Sequence, residues 1–134
     1  MRLPLWGVAL AIFALALALR LPKLNLRPFH ADEAVHAEKF RGIWKDGKYQ
    51  YDPNEFHGPT IYYAALPTVA VSGHKTFGEL EEADLRRAIA IAGAALSPLL
   101  LLLYRRIAPC ALLWAGLFLA PSPSLVFYSR YFIQ

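Results

Sequence analysis

Ala88-Ile-Ala-Ile-Ala-Gly-Ala-Ala-Leu-Ser-Pro-Leu-Leu-Leu-Leu-Leu-Tyr104 decides the fold class. It runs from Arg86-Arg87 to Arg105-Arg106 without an internal charge. A helix of that length is close to what a hydrocarbon core of about 30 Å requires. The same texture recurs on both sides. Leu3 to Leu19 is rich in Leu and Ala, and Leu21-Pro22 extends it. Ile107 to Tyr128 is a third apolar run, interrupted by Pro109, Pro121 and Pro123. Prolines are tolerated in membrane helices where neighbours satisfy the freed carbonyls. The chain is 57% hydrophobic and only 18% charged, against about 25% charged in soluble domains. These features predict an all-α, multi-pass membrane protein with spans over 3–22, 86–104 and 108–128. A secretory signal peptide is the rival reading of the first run, but further apolar runs follow it.

Pro59 to Gly73 is apolar too, but short for a span, and reads as an interfacial or re-entrant helix. Arg105-Arg106 in a tight loop marks the inner side. Three spans then place Met1 inside and an outer loop over 23–84. In that loop, Asp32 stands where a helix cap belongs. Val35, Phe40, Ile43 and Trp44 follow at helical spacing to Lys45, and Asp46-Gly47 makes a turn. Tyr49, Tyr51, Phe56, Tyr62 and Tyr63 suit the bilayer interface, so the loop is expected to lie against the membrane surface.

Composition excludes several classes. One cysteine, Cys110, permits neither an internal disulfide framework nor a zinc ribbon. The net charge of +4 is modest, and the basic residues flank apolar runs, so nucleic acid is not an expected partner. The last residues, to Gln134, stay apolar, and the chain reads as a fragment of a longer protein.

Three constellations carry candidate chemistry. In His30-Ala-Asp-Glu-Ala-Val-His36, the carboxylates Asp32 and Glu33 lie beside two imidazoles. They could supply a general base or hard metal ligands. Acids in a first helical turn also serve as caps, and that reading stays open. Glu55-Phe-His-Gly-Pro-Thr-Ile-Tyr-Tyr63 puts His57 in a turn before a helix, with Pro59 suited to its first position. Arg130, in Phe127-Tyr-Ser-Arg-Tyr131, either snorkels at a helix end or offers its planar fork to a phosphate. Glu79, Glu81, Glu82 and Asp84 read as a solvated, capping set.

Taken in order, these pieces resemble the GT-C glycosyltransferases of the protein O-mannosyltransferase and lipid A aminoarabinose transferase clan. The matching pieces are Asp32-Glu33 after a first span, His57-Gly58-Pro59-Thr60-Ile61-Tyr62-Tyr63, and Ser122-Pro123-Ser124 through Arg130. Within the clan, the chain looks most like the prokaryotic flippase activity-associated family. The resemblance covers nearly the whole chain and about the first quarter of a full member. It implies transfer of a sugar from a polyprenyl-phosphate-linked donor to an acceptor at the outer face of the cytoplasmic membrane. Asp32 would then be the general base, and Glu33 would hold Asp32 or orient the acceptor. His36, His57 and Tyr62 would bind substrate, and Arg130 would take the lipid phosphate. The implied partners are membrane lipids and the lipid-linked donor. No cofactor is demanded, and a divalent metal stays open. The family turn is commonly His-Pro-Pro, whereas Gly58 stands at its second position here. The alternative is a membrane protein that handles lipid-linked sugars without chemistry of its own.

Overall fold

In a computed structural model, residues 4–54 and 57–133 are described. The expected placement of Met1, the start of the first run at Leu3, and Phe56 of the aromatic series fall outside them. The described chain is helical, with no strand among the described residues. The helices are α1 (Leu5–Arg20), α2 (Ala31–Asp46), α3 (Thr60–Ser72), α4 (Glu82–Leu99), α5 (Pro109–Leu119) and α6 (Pro123–Tyr128). Two 3₁₀ segments, Phe77–Glu79 and Leu100–Arg105, precede and extend α4.

Among the described residues, one stretch is long and apolar enough to cross a membrane. It is Glu82–Arg105, with 24 residues and a mean hydropathy of 1.8. The other two expected spans differ from expectation in length. The helix within the first run, α1, has 16 residues, roughly 24 Å at the helical rise. The run over 108–128 forms two helices, α5 with 11 residues and α6 with 6. Pro121 and Pro123 explain the break: neither has an amide hydrogen, and each ring crowds the preceding turn. Pro123 opens α6, a position where its missing donor costs nothing.

The chain divides into two compact units. The first comprises Met1–Pro22 and Ala90–Arg130. Its core is Ile12, Ala16, Ala94, Leu101, Leu112 and Ala120. Ile12, Ala16 and Arg20 recur every four residues and are the buried positions of α1, one stripe of the helix. Gly93 allows a close approach: a Cβ there would sit 2.3 Å from the Cβ of Ser129. The outer faces remain apolar, with Trp6, Leu10, Leu102, Trp114 and Phe118 all more than half exposed.

The second unit comprises Lys23–Ile89 and Tyr131–Gln134. Its core joins Ala37, Phe40 and Ile43 of α2 to Ile61, Tyr62, Ala65 and Val69 of α3, with Leu85, Ala88 and Phe132. The buried face of α2 is Glu33, His36, Ala37, Phe40 and Ile43. Val35, expected on that face, is exposed, because it lies about 100° round the helix from His36. The expected turn at the end of α2 is present, and Gly47 adopts φ 70° there. A side chain would strain that left-handed conformation. The helix expected over 59–73 is α3, with Pro59 as its cap rather than its first residue.

Candidate functional site

The start of α2 carries the first candidate residues, and its cap differs from the expected one. His30, not Asp32, occupies the cap position. Its Nδ1 accepts from the Asp32 amide at 3.4 Å, while the Glu33 carboxylate accepts from the His30 amide at 3.1 Å. This reciprocal pair satisfies two amides that the helix itself leaves without partners. Asp32 is thereby relieved of capping, and its carboxylate is exposed, 3.6 Å from His30 Nδ1.

Glu33 points the opposite way and is completely buried. Arg86 Nε donates to its Oε1 at 2.8 Å and Nη2 to its Oε2 at 2.7 Å. The Phe132 amide adds a third donor at 2.8 Å. Burial raises the Glu33 pKa, but the Arg86 bonds and the Phe132 and His30 amides more than offset it. The group lies below the ordinary carboxylate range and is ionised. Its expected contact with Asp32 is replaced by these partners. Arg86 also donates to the carbonyls of Leu24, Arg27 and Pro28 at 2.6, 2.8 and 3.2 Å. One guanidinium therefore fastens both the segment before α2 and the first turn of α2. Its fork geometry allows this, since five donors radiate in one plane.

His36, one helical turn beyond Asp32, is buried with Tyr62. Its Nδ1 is 2.9 Å from the Tyr62 hydroxyl, and its ring meets His57 edge-on at 4.5 Å between centroids. Burial lowers the His36 pKa, the neighbouring His57 lowers it further, and the Asp32 charge partly opposes them. His36 is therefore neutral at pH 7. Burial raises the Tyr62 pKa, so its phenol keeps its proton. Tyr49 stacks on Tyr62 at 5.9 Å, and the Tyr49 hydroxyl donates to the His57 carbonyl at 2.7 Å. These bonds hold the turn of His57 although Gly58 replaces a proline there.

His36, His57 and Tyr62 are thus brought together in the second unit, which also holds Asp32 and Glu33. Arg130 belongs to the first unit, where its Nη2 donates to the Pro22 carbonyl at 2.8 Å. Sequence reading missed Arg86 and Phe132, the partners of Glu33. A signal for Arg86 was present: an arginine abutting an apolar run is costly unless paired. Nothing local pointed to Phe132, 99 residues from Glu33.

Asp84, assigned no chemistry, is buried as well. It accepts from the Glu81 amide and pairs with Arg87 and His74 at 2.6 and 2.9 Å. These contacts close the start of α4 and leave it a structural role. Among the described residues, no group of three His, Cys, Asp or Glu side chains is placed to hold a metal ion.

The chemical capacity of the site is that of an exposed carboxylate on a braced helix start, beside a neutral imidazole and a protonated phenol. In comparisons with known proteins, no family model, no curated protein and no solved structure matches this chain.

Proposed function

We propose that the chain belongs to a multi-pass membrane glycosyltransferase of the GT-C kind. It would use a polyprenyl-phosphate-linked sugar and an acceptor hydroxyl at the outer face of the cytoplasmic membrane. Asp32 takes the acceptor proton as the acceptor oxygen bonds to the anomeric carbon. The bond from that carbon to the phosphate oxygen breaks, and polyprenyl phosphate leaves with the electron pair. His36, His57 and Tyr62 shape the acceptor side.

The observation that carries this reading is the division of labour between two adjacent carboxylates. Glu33 is consumed by Arg86, whereas Asp32 is exposed on a helix start capped by another residue. A general base needs both a fixed position and access to substrate. The membrane reading is supported by Glu82–Arg105 and by the apolar outer residues of α1 and α5, which suit lipid better than water. A 16-residue α1 can be accommodated by local thinning of the bilayer.

Asp32→Asn in the membrane-reconstituted protein should abolish sugar transfer while donor binding persists. Transfer at the parental rate would refute the general-base role. Loss of both transfer and donor binding would favour a lipid-handling protein without chemistry. Topology is checked with a cysteine at Asp46 in a Cys110→Ser background. An impermeant thiol reagent added outside should label it.

A further inference from the structure

We propose that a cleft along the C-terminal half of α2 binds a neutral saccharide. The cleft has a volume of about 380 Å³ and lies between α2 and residues 48–53. That is within the roughly 300–1,000 Å³ common for small-molecule sites. Among its described lining residues the charges are mixed and equal in number, Lys39 and Lys48 beside Asp46 and Asp52. Among these residues an anion meets as many carboxylates as ammonium groups. A ligand with many hydroxyls does gain, because each hydroxyl can donate to a carboxylate and accept from an ammonium. Gln50, also in the wall, offers both roles from one amide.

Two tyrosines supply the remaining recognition chemistry. Tyr51 is 75% exposed at the cleft wall. A ring presented this way is a platform for the C–H face of a pyranose, whose hydrogens are drawn to the negative face of the π-system. Tyr49 forms another part of the wall and is held by its stack on Tyr62 and its bond to the His57 carbonyl. Tyr49 is therefore fixed in the wall.

Gly42 is the third observation. It lies inside α2 and lines the cleft. Glycine weakens a helix interior relative to any ordinary residue, so a packing reason would be expected. Among the described residues no close approach demands it: a Cβ at Gly42 would meet nothing within 4 Å. What the missing side chain does is leave the cleft open.

This inference stands apart from glycosyl transfer, since the cleft is defined by its own lining. The test uses the full chain in nanodiscs, titrated with maltose, cellobiose and chitobiose and followed by saturation-transfer NMR and Trp44 fluorescence. Inorganic phosphate is the anionic probe. At least one disaccharide should saturate in the millimolar range, and phosphate should neither bind nor compete. Tyr51→Ala should weaken binding by about fivefold, and this exposed position tolerates the change. Gly42→Phe should abolish binding while the thermal midpoint holds or rises, because phenylalanine is the better helix former. Gly42→Ala should bind as the parent does. The proposal is overturned if none of the three sugars saturates, if phosphate competes, or if Tyr51→Ala and Gly42→Phe both bind like the parent. Asp32→Asn that loses transfer but retains saccharide binding would separate this cleft from the transfer site.

Discussion

Among the described residues two arginines are fully buried, one in each unit, and their partners differ in kind. Arg86 meets a carboxylate, Glu33, in a two-point pair, and three carbonyls besides. Arg20 meets no carboxylate. Its Nη1 donates to the Ala16 and Ala120 carbonyls at 3.1 and 2.7 Å, and its Nε donates to the Ser129 hydroxyl at 3.0 Å. Its Nη2 has no partner. The first unit has no alternative, because residues 1–22 and 90–130 contain no Asp or Glu at all. What it does have is the break at Pro121 and Pro123, which frees carbonyls at the end of α5. Arg20 takes one of them. A charge-poor unit thus meets most of its buried cation's donors with neutral oxygens, one of them at a broken helix, and a charge-rich unit uses a counter-ion.

This contrast predicts unequal costs. Arg86→Met strands the buried Glu33 charge and should destabilise the protein by about 3–5 kcal/mol. Urea unfolding in detergent would measure it, and adding Glu33→Leu should recover much of the loss. A double variant no more stable than the single one would mean that the carbonyl bonds, not the ion pair, dominate.

Arg20→Met takes a donor only from neutral groups, the Ala120 carbonyl and the Ser129 hydroxyl, which keeps its own bond to the Val126 carbonyl. The expected cost is smaller, about 1–3 kcal/mol. If Arg20→Met proved as damaging as Arg86→Met, the distinction between the two units would fail. Gly93→Ala probes the same corner, since its Cβ collides with Ser129, the hydroxyl partner of Arg20. Overpacking costs about 1–3 kcal/mol, and the better helix propensity of alanine returns up to about 1 kcal/mol. A thermal melt should show a modest net loss.

The smallest effect is a pH dependence confined to the second unit. His36 has a folded pKa below its ordinary 6.5. The unfolded chain therefore binds a proton more readily, and stability rises with pH in that window. Acidification from pH 6.5 downward should cost stability until the folded pKa is reached. His36→Gln should flatten that part of the curve. Glu33, with its lowered pKa, adds stability that is present above its ordinary 4.5 and lost further down, as pH falls through the folded value. The two residues are separable because the His36 window lies at higher pH.

Asp32 and Glu33 show how far local sequence reaches. A helix after His30 follows from the spacing of its apolar and polar residues and from the turn at Gly47. That two neighbouring acids would face opposite environments follows only from the 100° between successive residues, once one face is known to be buried. The apolar residues Val35, Phe40, Ile43 and Trp44 point to the buried face, and of these Val35 lies off it, exposed. Aspartate is a common cap, which makes Asp32 the expected one, but histidine, a rarer cap, holds the position as His30.

By itself the sequence determined that the chain is helical, where its apolar runs lie, and that Gly47 closes α2. These are local properties: propensity, period and the steric limits of glycine and proline act over a few residues. Only the tertiary structure decided that Glu33 is a buried ion-pair partner while Asp32 remains exposed, and that Arg20 completes a helix end at Ala120. Those facts depend on groups 53 and 100 residues away. The demand of a buried charge for a partner can be read from sequence, but the identity of that partner is a matter of packing.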